Sequence, residues 1–156
     1  MPRSPALRAA VLAALLLASQ AAAEPATPKP GMAGAPAPAL SAALSGTQWE
    51  WIRFASPAGD IRVDDPSHYT LAFDHENHAA LRADCNRAAG GVGSAGPGMI
   101  RFGALAMTRA MCPPGSLSDR YVRDVGRTTR YTLGQHELRL ELPANQGVLI
   151  FRAAPP

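Results

Sequence analysis

The sequence predicts an α+β domain: a mainly antiparallel β-sheet with one short amphipathic helix packed on it. Three observations carry this. Six or seven short segments of strand character are separated by turn residues, the last three form a meander, and a single stretch repeats its apolar residues at helical spacing. A barrel-like closure is compatible with that pattern, because closing a sheet removes unprotected edges.

The elements follow in order. Gln48 to Phe54 places Trp49, Trp51 and Arg53 on one side and Glu50, Ile52 and Phe54 on the other, so both faces of this strand are expected to be covered. A turn at Pro57-Ala58-Gly59-Asp60 leads to a short strand at Ile61 to Val63, and Asp64-Asp65-Pro66-Ser67 turns again. Tyr69 to Phe73 is a half-buried strand with Tyr69, Leu71 and Phe73 inward, and the hairpin Asp74-His75-Glu76-Asn77 returns the chain as His78 to Cys85. Ala88 to Gly98 (AAGGVGSAGPG) predicts a flexible glycine-rich loop. Met99 to Phe102 and Gly103 to Thr108 are the next extended pieces.

Ser116 is placed as a helix N-cap, with Asp119 completing an approximate capping box. Leu117, Tyr121 and Val125 then form one buried stripe on a helix that ends at Gly126. Arg130 to Leu133, Glu137 to Leu142 and Val148 to Arg152 are the closing meander. The middle strand alternates leucines toward the core with charges toward water.

Ahead of this domain the chain changes character twice. Arg3 and Arg8 precede the apolar run Ala9 to Ala18, and Ala21 and Ala23 form an A-x-A-like cleavage site. Residues 1–23 therefore read as a signal peptide, too short in its apolar part to span a membrane. Residues 24–44, rich in Ala and Pro, read as a disordered linker, which leaves residues 45–153 as the folded domain. The expected location is the periplasm, with no transmembrane anchor after cleavage and no lipidation cysteine after the apolar run. Without Arg3 and Arg8, 13 basic residues oppose 12 acidic ones. The remaining arginines are scattered singly, which argues against nucleic acid as a partner.

Candidate chemistry is sparse. Cys85 and Cys112 are the only cysteines, and in an oxidising compartment they are expected to pair. Closing a loop of about 28 residues is worth roughly 3.5 kcal/mol in the chain-entropy model. A redox or nucleophilic pair is the alternative, but neither cysteine has the two-residue spacing at a helix start that redox sites use. His75 and His78 flank Glu76 in an H-x-x-H pattern, yet they straddle a hairpin where side chains diverge, so no metal site is expected. Ser116 lacks a G-x-S-x-G elbow, and Asp64-Asp65 before Pro66 is turn chemistry. Gly90-Gly91-Val92-Gly93 precedes a strand and no helix, so it offers no phosphate cradle. No catalytic residue and no cofactor are predicted.

Three segments, Gly46-Thr47-Gln48-Trp49, Asp84-Cys85-Asn86-Arg87 and Phe102-Gly103 through Thr108-Arg109-Ala110-Met111-Cys112, together resemble the META domain family, which includes the heat-shock-induced HslJ lipoproteins. The resemblance covers roughly Leu44 to Arg152. Val92 departs from it, standing where an aromatic residue is common. The resemblance implies an envelope protein linked to stress, antibiotic tolerance or motility, without an assigned chemistry. It marks Asp84, Asn86, Arg87, Thr108 and Arg109 as motif residues; for Asp84 a structural hydrogen-bond or ion-pair role, with Arg87 or Arg109 as partner, is the first expectation and a binding surface the second. The leading expectation is a monomeric, non-enzymatic binding or stabilising module whose partner is an envelope protein or a small ligand. The alternative is a chaperone-like or inhibitor protein that binds partner chains through a sheet edge. An enzyme of unknown activity is third.

Overall fold

A computed structural model of the chain describes residues 39–155. The expected signal peptide, residues 1–23, and most of the expected linker lie outside the described residues. The linker's last part does not behave as a linker: Leu40 and Leu44 are both buried in the core, the chain between them makes a turn, and the Leu40 amide donates to Asn77 Oδ1 at 2.7 Å. Two leucines four residues apart lie on one side of such a turn, so both reach the core while Ala42 and Ala43 between them stay exposed.

The centre of the sheet is β1 (Gln48–Ala55), which pairs antiparallel with β3 (Tyr69–Phe73) on one side and β10 (Val148–Ala153) on the other. β2 (Ile61–Arg62) pairs with the far end of β1. From β3 the sheet continues through β4 (His78–Ala83) and β5 (Asn86–Gly93) to β6 (Arg101–Phe102), with β7 (Ala106–Met107) also pairing with β5. From β10 it continues through β9 (Glu137–Glu141) to β8 (Arg130–Leu133). The two ends nearly meet, making an almost closed barrel. Met99 bridges Arg130, the Tyr131 amide donates to the Gly98 carbonyl at 2.9 Å, and the Ile100 amide donates to the Thr129 carbonyl at 3.1 Å.

The interior is filled from both sheet and helix. Helix α1 (Ser118–Gly126) buries Tyr121 and Val125 completely. The Tyr121 ring stacks on Trp51 at 5.0 Å between centroids and meets Tyr69 edge-on at 5.7 Å, with Phe151 at 6.3 Å. Such ring arrangements contribute beyond area burial alone. Among the described residues no helix is long and apolar enough to cross a membrane.

Three local expectations are corrected. β1 does not keep one phase: its register with β10 shifts between Trp51 and Arg53, so Ile52 is an extra residue and Phe54 turns to the core beside Trp49 and Trp51. A bulge of this kind re-aims everything beyond it. Second, Ala88 to Gly93 is strand, not flexible loop. Gly90 and Gly91 pair with Ala79 and His78, and a methyl at Gly90 would lie 2.5 Å from the Ala104 carbonyl oxygen. The glycine run allows close approach of the crossing segment, which is the other reason a strand carries glycine. Third, the helix's capping position is Leu117, without a side-chain cap. The Ser116 hydroxyl accepts from the Ser118 amide at 3.2 Å, while the Ser116 amide donates to Pro113 and not to Asp119, so the capping box does not form.

Candidate functional site

The motif segments meet at one place. Asp84 and Cys85 form the two-residue turn between β4 and β5, and Asp84 adopts a left-handed φ of 57°, which aspartate tolerates better than most residues. Cys85 is bonded to Cys112, with Cα atoms 5.4 Å apart, and this ties the turn to the segment leading into α1.

Asn86, the first residue of β5, is buried and uses both ends of its amide. Its Nδ2 donates to the Ala110 carbonyl (3.1 Å) and the Ser118 hydroxyl (3.2 Å), and lies 3.3 Å from Cys112 Sγ and 3.6 Å from Cys85 Sγ. Its Oδ1 accepts from the Thr108 hydroxyl (2.9 Å) and the Ala110 amide (2.8 Å). Thr108 continues the chain of contacts: its Oγ1 accepts from the Arg87 amide at 3.0 Å and its own amide donates to the Arg87 carbonyl. Asn86 thus joins the disulfide, the β7 end and the first turn of α1. A buried amide so engaged is costly to remove, since each orphaned partner loses about 1–3 kcal/mol.

The remaining motif residues do not converge. Asp84 pairs with His68, at 3.4 Å, and not with either expected arginine. The physical reason is the turn: with Asp84 left-handed, its carboxylate faces the 3-10 turn Pro66–His68, and its amide donates to the His68 carbonyl at 2.7 Å. Arg109 reaches Asp119 only at 3.9 Å, with both side chains exposed, an arrangement worth little. The Arg87 side chain points outward from β5 and is exposed.

Two clefts flank the segment between Cys112 and α1. One, of about 430 Å³, is bordered by Asp65, His68, Tyr69 and Asp84, and the other, of about 290 Å³, by Asn86, Met111, Cys112 and Asp119. The Tyr69 hydroxyl accepts from the Leu117 amide at 2.9 Å, so that segment is held from the sheet side as well. Tyr69 and Ser118 are therefore parts of this site that sequence reasoning missed. Neither carries a local signal, because each finds its partner across the fold.

The two histidines of H-x-x-H separate. His75 lies 2.9 Å from the Ser45 hydroxyl and packs over Gly46. His78 pairs with Asp74 at 3.0 Å, and Asp74 Oδ1 accepts from the amides of Glu76 and His78, both at 2.8 Å. Those bonds, the His78 amide foremost, hold the Asp74 carboxyl below its ordinary range. Asp74, Glu76 and His78 do lie together, but all three are exposed and Asp74 is already committed to the hairpin.

Comparison with known proteins agrees with this architecture. No curated protein matches the chain. Among solved structures, an NMR structure of a protein from Burkholderia xenovorans superposes with a TM-score of 0.59 at 26% identity, covering 85% of this chain and 100% of that one. A DUF4847 family protein from Bacteroides vulgatus shares the fold at a TM-score of 0.51 and 10% identity, covering 70% and 93%. The META domain model matches residues 42–155, a span that opens just before Leu44 and takes in every strand and the helix; the chain belongs to the META domain family.

Proposed function

We propose that this is a non-enzymatic binding or stabilising protein of the bacterial envelope, exported to the periplasm and associated with envelope stress. The observation that carries the non-enzymatic part is the use of the motif residues. Asn86 and Thr108 are spent on holding the disulfide, β7 and α1 together, and Asp84 on His68. Ser45 lies 2.9 Å from His75 Nδ1, but its hydroxyl donates to the Asp74 carbonyl at 3.2 Å, so this exposed contact serves the hairpin and is not arranged as a nucleophile with its base. Export is supported by the charged, apolar and small-residue succession at residues 1–23 and by a bonded cysteine pair suited to an oxidising compartment. The near closure of the barrel leaves short edges, which favours recognition by a surface or cleft over capture of chains by strand addition.

Fractionation of cells expressing the full chain, with mass spectrometry of the non-reduced product, tests this reading. The expected result is periplasmic protein beginning at Glu24 with Cys85 and Cys112 joined. Cytoplasmic protein retaining Met1 and two free thiols would overturn it.

A further inference from the structure

The outward face of the β1–β3–β4–β5 sheet carries two adjacent rows of side chains running across the strands. One row is charged: Glu137, Arg152, Glu50, Thr70, Arg82 and Arg87 stand in direct register from β9 to β5. Its first half is neutralised, since Arg152 grips Glu50 Oε2 with two nitrogens at 2.7 and 2.9 Å. Its second half is not. Arg82 and Arg87 face each other directly across β4 and β5, and among the described residues neither forms an ion pair. Arg82 donates to the Ser67 carbonyl at 3.3 Å and lies within electrostatic reach of Asp65. Like charges directly opposed on a sheet are unfavourable.

The next row is smooth. Gln48, Ala72, Ala80, Ala89 and Ala106 are in register across five strands, and the two rows enclose a trough of about 400 Å³ with an alanine floor and the arginine pair along one wall. We propose that this trough binds a small anionic amphiphile, a medium-chain alkyl carboxylate, with its head between Arg82 and Arg87 and its tail over Ala80 and Ala72 toward Gln48.

Charge complementarity selects the head. Paired guanidinium groups match carboxylate geometry, and a bound anion offsets the repulsion between them. The floor selects the tail. From β4 to β1 is about 10 Å, two strand spacings, and methyl groups offer it apolar contact and no hydrogen-bond partner. A peptide laid there gains no main-chain hydrogen bonds, because the backbone groups beneath are already used in the ladders. This inference supplies a site and a ligand class for the binding role proposed above and rests on that role, but not on export.

Amide NMR titration of the full chain with sodium decanoate tests it, with decyltrimethylammonium and inorganic phosphate as parallel arms. Decanoate is expected to shift the amides of Ala72, Ala80 and Ala89, and to bind more tightly than either control. The double variant R82Q/R87Q should weaken decanoate binding by about tenfold or more, as expected for lost charge-assisted contacts, with no loss of thermal midpoint because the opposed charges are removed. Ala80→Trp, on an exposed position, keeps both arginines while filling the trough, and should also weaken it. Equal binding of the cationic amphiphile, equal binding of phosphate, or full affinity in R82Q/R87Q would overturn the proposal. So would shifts centred instead on Val92 and Phe102, which border a separate apolar cleft of about 550 Å³. Absence of decanoate binding defeats this inference alone and leaves the fractionation result to decide localisation.

Discussion

The barrel interior and the Asn86 junction hold the same helix by opposite means. Inside, α1 is fastened by Tyr121 against Trp51, Tyr69 and Phe151, contacts that depend on volume and ring geometry. At its first turn it is fastened by Ser118 and the disulfide through one amide side chain, contacts that depend on donors and acceptors. The interior even carries a polar atom that finds no partner among the described residues: the Tyr121 hydroxyl is buried there with no hydrogen bond, and burial pushes its ionisation well above the ordinary phenol range. The junction carries none of that slack, since both ends of Asn86 are occupied. An apolar core therefore tolerates an imperfect atom, whereas a hydrogen-bonded junction fails when one member is lost.

Four substitutions sharpen or break this contrast. Tyr121→Ala opens a cavity at the centre of the aromatic cluster and should cost about 4 kcal/mol by denaturant unfolding. A loss below about 1 kcal/mol would mean that the rings do not carry the helix. Asn86→Leu keeps the volume but orphans Ala110, Thr108 and Ser118, and should cost about 3 kcal/mol. Hydrogen exchange should accelerate first at Ala110 and in the first turn of α1. Uniform acceleration over the barrel would instead make Asn86 an ordinary core residue.

Tyr121→Phe has the opposite sign. Removing a buried hydroxyl that has no partner should leave stability unchanged or raise it by about 1 kcal/mol, and a fall in thermal midpoint would reveal a hidden partner. The smallest effect concerns the hairpin. Because the Asp74 carboxyl is lowered in the fold, its contribution is full above the unfolded carboxylate value and is lost as pH falls through the lower, folded one. Stability measured below about pH 4 should fall less steeply in Asp74→Asn than in the parent chain, and equal slopes would remove this role.

Legibility in the sequence followed the range of the interactions. Tyr69, Leu71 and Phe73, the leucines of β9 and the Tyr121–Val125 stripe were all readable, because alternation and helical spacing are local consequences of which face is buried. β5 does not read as a strand from its sequence, because glycine signals a loop and a closely crossed strand equally well. Only the Ala104 carbonyl beside Gly90 separates the two. The motif segments suggest Arg87 or Arg109 as the partner of Asp84, but a single left-handed residue turns its carboxylate toward His68. The bulge at Ile52 likewise leaves no mark in the alternation of β1 until β10 is laid beside it.

The sequence by itself determined the α+β class, most of the strands, the helix and the pair of cysteines able to join, since each rests on periodicity or on a count. Tertiary structure alone decided the junction at Asn86, the near closure through Met99 and Arg130, and the opposed arginines of the outer face. Those depend on register between strands distant in the chain. Register is chosen by the packing of the whole barrel, so no single segment holds the information.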